Sequence, residues 1–418
     1  MIADRRPRRQ RWRVGLPCGN VRAIMIEPKI RAVPGFSFVG KNVGIVDSSL
    51  DFGCVVADRP CAAAGVFTRS SMPGAPIIVG REHIASGRLQ AIVVNSKNAN
   101  VATGARGIDD ARAMCRGLSE ACGMAPELVL PASTGVIGRR LPIEKIKAAF
   151  AGLAGELADD AAAAERFARA IMTTDVSPKW VSGKVGNATL LGVAKGAGML
   201  EPNMATMLAW FMTDADVPAE LLRPMIQRVA DRSFNRMSVD TDTSTSDTCV
   251  VLANGKAGPV DLAQFEQVLS EAAIYLAKKM ARDGEGATKL IELHVVGAQS
   301  QDQARKTARS VINSPLVKTC IYGADPNWGR FIMAIGKVFE YEVSREKLRI
   351  TFGRGEDRRV LDAATVEAGN MDLDALRQLL KGPEVHVELD LGCGSEAYHV
   401  WGCDLTEQYI HINAHYTT

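Results

Sequence analysis

Between residues 262 and 280 the apolar residues Phe265, Val268, Leu269, Ala272, Leu276 and Met280 recur at spacings of three and four, which places them on one face of an amphipathic helix. Gly284 is expected to end that helix and to put Glu285 on the exposed turn that leaves it. The run Leu290 to Val296 predicts a strand, and Arg305 to Ile312 a further helix. Near the end of the chain Val385, Val387, Leu389 and Leu391 alternate with His386, Glu388 and Asp390, the period of a half-buried strand. The alanine-rich stretches Ile143 to Ala154 and Asp159 to Ala170 predict packing helices. Helical and strand patterns alternate along the whole length, so the class is mixed α/β. No repeat period stands out, and no low-complexity linker separates independent halves.

The chain has 418 residues, 47% of them apolar, enough to build large cores. Its net charge of +3 is small for that length, and the cations are interspersed with acids, so nothing points to nucleic acid. No apolar run reaches the roughly 18–20 residues of a membrane helix. A soluble, cytosolic protein without a membrane association is therefore expected. Nine cysteines (Cys18, Cys54, Cys61, Cys115, Cys122, Cys249, Cys320, Cys393 and Cys403) include no CxxC pair, which fits free thiols in a reducing compartment. The six histidines form no HExxH-type cluster, and no metal site is expected. Gly284 to Lys289 lacks the GxxxxGK[ST] spacing of a phosphate loop. Residues 1–24 crowd Arg5, Arg6, Arg8, Arg9, Arg11 and Arg13 with prolines; this basic leader lacks the apolar stretch of a secretory signal.

The stretch Lys195-Gly196-Ala197-Gly198-Met199-Leu200-Glu201-Pro202-Asn203-Met204-Ala205-Thr206-Met207-Leu208 puts a threonine after a small residue and behind a glycine-rich turn. A threonine hydroxyl is a weak nucleophile at neutral pH. Making it the first residue of a new chain supplies its own α-amine, with a reference pKa of about 7.7–8.0, as the base. Gly196 and Gly198 allow unusual backbone conformations, Pro202 stiffens the approach, and Ala205 leaves its carbonyl open. These are the requirements of an N-to-O acyl shift that cuts the chain between Ala205 and Thr206. The same stretch also reads as an ordinary strand after a glycine turn, with Met207, Leu208, Trp210 and Phe211 entering the core. Likewise Ser133-Thr134-Gly135 reads either as a plain turn or as a hydroxyl and an N–H converging on one oxyanion.

The segment Lys195–Leu208 resembles the self-processing site of the ornithine acetyltransferase family, the bifunctional glutamate N-acetyltransferases. Further segments resemble the same family in the same order: Pro131–Gly138, Ile171–Asp175, Asp240–Asp247, Asp283–Lys289, Asp325–Arg330 and Ile412–Thr418. The resemblance runs from about Arg31 to Thr418. It implies an α/β fold of two sheets in a helix-covered sandwich, cut into an α chain, 25–205, and a β chain, 206–418, with translation expected to begin at Met25. Thr206 is then the nucleophile, and Thr134 and Gly135 form the oxyanion hole. Lys195, Thr173, Glu285, Asn413 and Thr418 contact substrate together with Thr206. An extended strand at Thr173-Thr174 would point the two side chains to opposite faces, so only one of them meets substrate; Thr173 takes the role, with Thr174 as the alternative.

The activity implied is acetyl transfer from N2-acetyl-L-ornithine to L-glutamate through an acetyl-threonine, with no separate cofactor. Some family members also use acetyl-CoA, and these residues do not separate the two types. The rival reading is an amidohydrolase or aminopeptidase in which water completes the same acyl-enzyme cycle. The assembly implied is a heterotetramer of two α and two β chains. The chain departs from the family in Asn95–Gly104, where Lys97 stands at a usual glycine and Ala102 at a usual cysteine. A cation there, as in secondary-metabolite paralogues, bears on the substrate rather than on the chemistry. The segment Asp325–Arg330 is expected to brace the chain entering the next helix.

Overall fold

The computed structural model describes residues 26–201 and 207–415. Its first sheet contains β1 (Ile26–Glu27), β2 (Phe36–Lys41), β3 (Phe52–Phe67), β4 (Arg88–Asn95), β5 (Val129–Ser133), β6 (Lys179–Val185), β7 (Ala188–Lys195), β8 (Leu208–Asp216) and β10 (Thr248–Pro259). The second contains β9 (Met237–Ser238), β11 (Leu290–Ala298), β12 (Arg349–Phe352), β13 (Arg359–Leu361), β14 (Glu384–Asp390) and β15 (Glu396–Cys403). In space the first sheet runs β1-β6-β7-β8-β10-β3-β4-β5, with β2 also on β3, and the second runs β13-β12-β14-β11-β15-β9. The expected α/β architecture of two sheets covered by helices is the one observed.

Burial explains which strands the sequence disclosed. Every residue of β7 and all but the last of β8 are buried, so neither strand shows the alternation of a half-buried one, and each reads as an apolar run, Leu190 to Ala194 and Leu208 to Met212, bounded by polar residues. β14 has one covered face and shows the alternation expected of it. The amphipathic helix runs from Leu262 to Arg282, capped by Asp261, whose side chain accepts the Gln264 N–H. Its apolar face belongs to one cluster that spans both sheets, with Phe211 and Val251 from the first and Leu290, Trp401 and Cys403 from the second.

Most sequence boundaries shift by a few residues. The predicted strand at Leu290 extends to Ala298, and the helix predicted from Arg305 begins at Gln301, where Ser300 caps it. The helix predicted over Ile143 to Ala154 stops at Ala148 and is followed by a short 3-10 turn at Leu153–Gly155. The next alanine-rich helix is Ala161–Ala170, capped by Asp160. Asp325–Arg330 leads into the helix Gly329–Gly336 as expected, and Arg330 Nη1 donates to the Leu316 carbonyl at 2.8 Å. Among the described residues no helix is long and apolar enough to cross a membrane. The eight described cysteines are unpaired.

Candidate active site

Three neighbouring strands bring the site together. Lys195 ends β7 and pairs across the sheet with Leu208, the first residue of β8. Leu208 pairs on its other side with Thr248, the first residue of β10. Lys195 and Asp247 therefore stand on opposite sides of the start of β8. Ala205 and Thr206, the expected cleavage pair, lie outside the described residues, as does Thr418. Met207, the residue after Thr206, is held on both polar groups: its N–H donates to Asp247 Oδ1 at 2.7 Å, and its carbonyl accepts from Thr248 N at 2.9 Å. The core entry of Met207, Leu208, Trp210 and Phe211 that the sequence allowed is observed, all four being buried.

The segment before the expected cleavage pair is held as firmly. Asp240 accepts the N–H groups of Met199 at 2.6 Å and Leu200 at 2.8 Å, Leu200 accepts from Val239 N at 2.7 Å, and Glu201 N donates to the Asp242 carbonyl at 2.9 Å. The side chain of Glu201 meets Ser238, Asn313 and Arg309. The stretch Val239–Asp247 thus grips the chain at residues 199–201 and again at 207.

Thr134 is buried and follows β5, its N–H bound to the Asn95 carbonyl at 3.1 Å. Gly135 has φ of +132°, and a Cβ there would collide with the peptide joining Lys97 to Asn98. Both properties demand glycine. Lys97 in turn reaches across with its ammonium to the carbonyls of Met172 at 2.8 Å and Thr173 at 3.3 Å. It is itself a non-glycine residue at positive φ, +73°, in a part of backbone space that costs about 1–3 kcal/mol. Burial pulls its pKa down, opposed by Asp175 and Asp51.

Thr173 and Thr174 lie in a bend between the helix ending at Ala170 and β6, so the expected extended strand is not formed. The cause is Asp175, which holds this bend closed. Its Oδ2 accepts Thr173 N at 3.1 Å, while its Oδ1 accepts Gly196 N at 2.7 Å and Lys179 Nζ at 2.6 Å. Lys179 also pairs with Asp283 at 2.5 Å. Burial alone would raise the Asp175 carboxyl, but Lys179 and Lys195 hold it at about 2. Lys195 is buried between Asp175 and Asp247, and among the described residues it makes no direct ion pair with either. Desolvation lowers its pKa against the pull of both carboxylates.

Glu285 corrects an expectation. Its side chain is not a solvated loop charge but buried, because the turn after Lys195 packs against it. Its N–H donates to the Ala197 carbonyl at 3.0 Å, and its carboxylate packs on Gly198, where any Cβ would collide with it. The Asn413 amide donates to Glu285 Oε2 at 2.6 Å from the terminal helix Glu407–His415. The described candidates therefore form one connected set. Gly135 touches Lys97, Lys97 holds Thr173, Thr173 and Gly196 share Asp175, and the turn after Lys195 meets Glu285, which Asn413 reaches in turn. Asp175, Asp247 and Lys179 belong to this set without having been singled out as site residues. Their sequence signal was only that Asp175 and Asp247 close two of the family-like segments.

Among the described residues no group of three His, Cys, Asp or Glu side chains could hold a metal ion. A family model described as the ArgJ family matches residues 37–418. The chain is 47% identical over 385 residues to the arginine biosynthesis bifunctional protein ArgJ 2 of Nostoc sp., covering 92% of this chain and 97% of that one. It is 46% identical over 394 residues to the glutamate N-acetyltransferase Oat2 of Streptomyces clavuligerus, covering 92% and 98%. Among solved structures it resembles the ornithine acetyltransferase of Mycobacterium tuberculosis complexed with ornithine. The identity there is 36% and the TM-score 0.42, covering 43% of this chain and 99% of that chain.

Proposed function

The chain belongs to the ArgJ family, and on that premise we propose that it is a self-cleaving glutamate N-acetyltransferase that moves acetyl from N2-acetyl-L-ornithine to L-glutamate. The match of the family model over residues 37–418, taking in every candidate residue, carries this reading. Thr206, freed by loss of the bond to Ala205, attacks the acetyl carbonyl, and its α-amine takes the hydroxyl proton. The Thr134 hydroxyl and the Gly135 N–H stabilise the oxyanion of the tetrahedral intermediate. Ornithine leaves, and the amine of glutamate attacks the acetyl-threonine ester to complete a ping-pong cycle. Glu285 meets the substrate ammonium, and Thr173, Asn413 and Thr418 hold the amino-acid backbone. Lys195, which pairs across the sheet with Leu208, also contacts substrate, and its charge keeps the new α-amine deprotonated.

The two pieces remain one cytoplasmic enzyme, and two such cleaved pairs associate. Support for the joined pieces comes from the sheet, in which β8 and β10, after the cut, lie between β7 and β3, before it.

Intact mass of the denatured protein and of Thr206→Ala tests the premise. Cleavage leaves pieces of 205 and 213 residues, or a shorter first piece if synthesis starts at Met25, and the second begins Thr-Met-Leu. Thr206→Ala stays whole. An uncut parent would remove the base and overturn the mechanism. With cleavage seen, N2-acetylornithine turnover is measured with and without glutamate. N-acetylglutamate formed in step with ornithine supports transfer, whereas free acetate at the same rate in both assays would mark a hydrolase.

A further inference from the structure

Six non-glycine residues among those described have positive φ, and three of them, Lys97, Asn100 and Ala102, fall within the six residues after Ser96. Asparagine tolerates this region better than most side chains do, whereas lysine has no such allowance. Glycine would hold the Lys97 backbone without strain, so what lysine adds at this position is its side chain. Strain of this kind persists where the surroundings fix a residue, and it gathers where geometry serves function. The Lys97 backbone is fixed to the turn after β5. Its carbonyl accepts Val136 N at 3.3 Å, its Cα and carbonyl carbon leave no room for a Cβ on Gly135, and the next residue, Asn98, bridges to both Thr134 and Val136. The side chain goes to a different part of the chain, where its ammonium donates to the carbonyls of Met172 at 2.8 Å and Thr173 at 3.3 Å. It is withdrawn from water there, as the lowering of its pKa by burial shows, and Asp175 and Asp51 offset part of that cost. Ser96 makes a second tie, from its hydroxyl to the Ala170 carbonyl at 2.8 Å, but this one stops at the end of the helix Ala161–Ala170.

We infer that Lys97 is a positioning residue that sets the spacing between the Thr134–Gly135 turn and the bend at Thr173, holding the first through its backbone and the second through its ammonium. The inference rests on the proposed reading in which Thr134 and Gly135 meet the oxyanion and Thr173 holds the amino-acid part of the substrate. On that reading one substrate has to engage both segments at once, so their spacing decides how well it fits. Loss of the ammonium leaves the turn in place, because Asn95 also holds it: the Asn95 carbonyl accepts Thr134 N at 3.1 Å, and its side chain accepts the Ser133 hydroxyl at 2.6 Å. The Thr173 bend keeps Asp175 on its N–H but loses its link to the turn. Thr173 meets a part of the substrate that does not react, so the loss falls on KM rather than on kcat.

Three variants of the full chain separate the ammonium from the strain. Lys97→Met removes the donor and keeps the stem and the strained backbone, Lys97→Gly removes the donor and relieves the strain, and Lys97→Arg restores a cationic donor. The KM for N2-acetylornithine is expected to rise about tenfold or more in both Lys97→Met and Lys97→Gly, the scale of one hydrogen bond to a charged group. Their kcat stays within about threefold of the parent's, and Lys97→Arg recovers most of the lost KM. Hydrogen–deuterium exchange supplies a readout that needs no activity: the amides of residues 171–176 exchange faster in Lys97→Met and Lys97→Gly, while those of 133–138 do not change. Parental KM in both variants, or unchanged exchange at 171–176, would overturn the inference. A KM that follows the melting temperature, recovering in Lys97→Gly as the strain is relieved, would reduce Lys97 to a structural residue and overturn it as well. A parent that forms no N-acetylglutamate from N2-acetylornithine and glutamate fails the acetyl-transfer reading instead, and the exchange at 171–176 then still decides whether Lys97 holds the bend.

Discussion

Asp175 accepts hydrogen bonds from Thr173, Gly196 and Lys179, and its side chain is fully buried. Removing one partner of a buried charge pair costs about 3–5 kcal/mol, because the other is left without compensation. Lys179 retains Asp283, which places the expected loss for Asp175→Asn at the lower end, about 3 kcal/mol by urea unfolding. Folding depresses this carboxyl to about 2, so its contribution is complete above the unfolded pKa of about 3.9 and is lost as pH falls through about 2. The parent should therefore lose more stability than Asp175→Asn between pH 5 and pH 2, and parallel losses would refute the assignment. At this scale the sequence was a partial guide. Thr134, Gly135, Lys195, Glu285 and Asn413 were singled out through the resemblance, whereas Asp175 and Asp247 read as ordinary acids until the fold enclosed them.

Among the elements, the turn leaving β7 and the turn leaving the helix Leu262–Arg282 depend on each other. Gly198 has no side chain at the point where the Glu285 carboxylate packs, and Asn413 reaches that carboxylate from the terminal helix. Gly198→Ala would push Glu285 off its position and break its bond to Asn413. The expected outcome is a fall in kcat/KM of about tenfold or more, about 1.4 kcal/mol, carried mainly by KM for the amino-acid substrate. Self-cleavage should persist, since the grip of Asp240 and Asp247 on the flanking residues is untouched. A variant with parental KM would show that Glu285 does not bind substrate. The elements themselves were readable wherever one face is buried, as in the helix from Leu262 and the strand β14. Thr173 was misplaced on a strand because Asp175, which accepts its N–H, is itself held by the distant Gly196 N–H as well as by Lys179.

Across the whole molecule, the proposed cut divides the chain without dividing the first sheet. The order β7-β8-β10-β3 places two strands from after Thr206 between strands from before it, joined by backbone ladders on both sides. Native mass spectrometry should find the two pieces together, and gel filtration in up to about 1 M urea should not separate them, because separation requires opening the sheet. Dissociation of folded pieces under those conditions would contradict the sheet order. The same measurement gives the number of cleaved pairs in the assembly, expected to be two.

Periodicity along the chain determined the mixed class, the amphipathic helices and the half-buried strands, because the covered face of such an element is written in its own spacing. The ordered series of motifs determined the family and pointed to the acetyl-transfer chemistry. Only the tertiary structure decided that Lys195 and Asp247 stand on either side of the start of β8, that Glu285 is buried against Gly198, and that Lys97 joins the Thr134–Gly135 turn to Thr173. Those outcomes depend on which strands become neighbours and on how far side chains are removed from water. Both are set by contacts between residues tens to hundreds of positions apart, which no local pattern records.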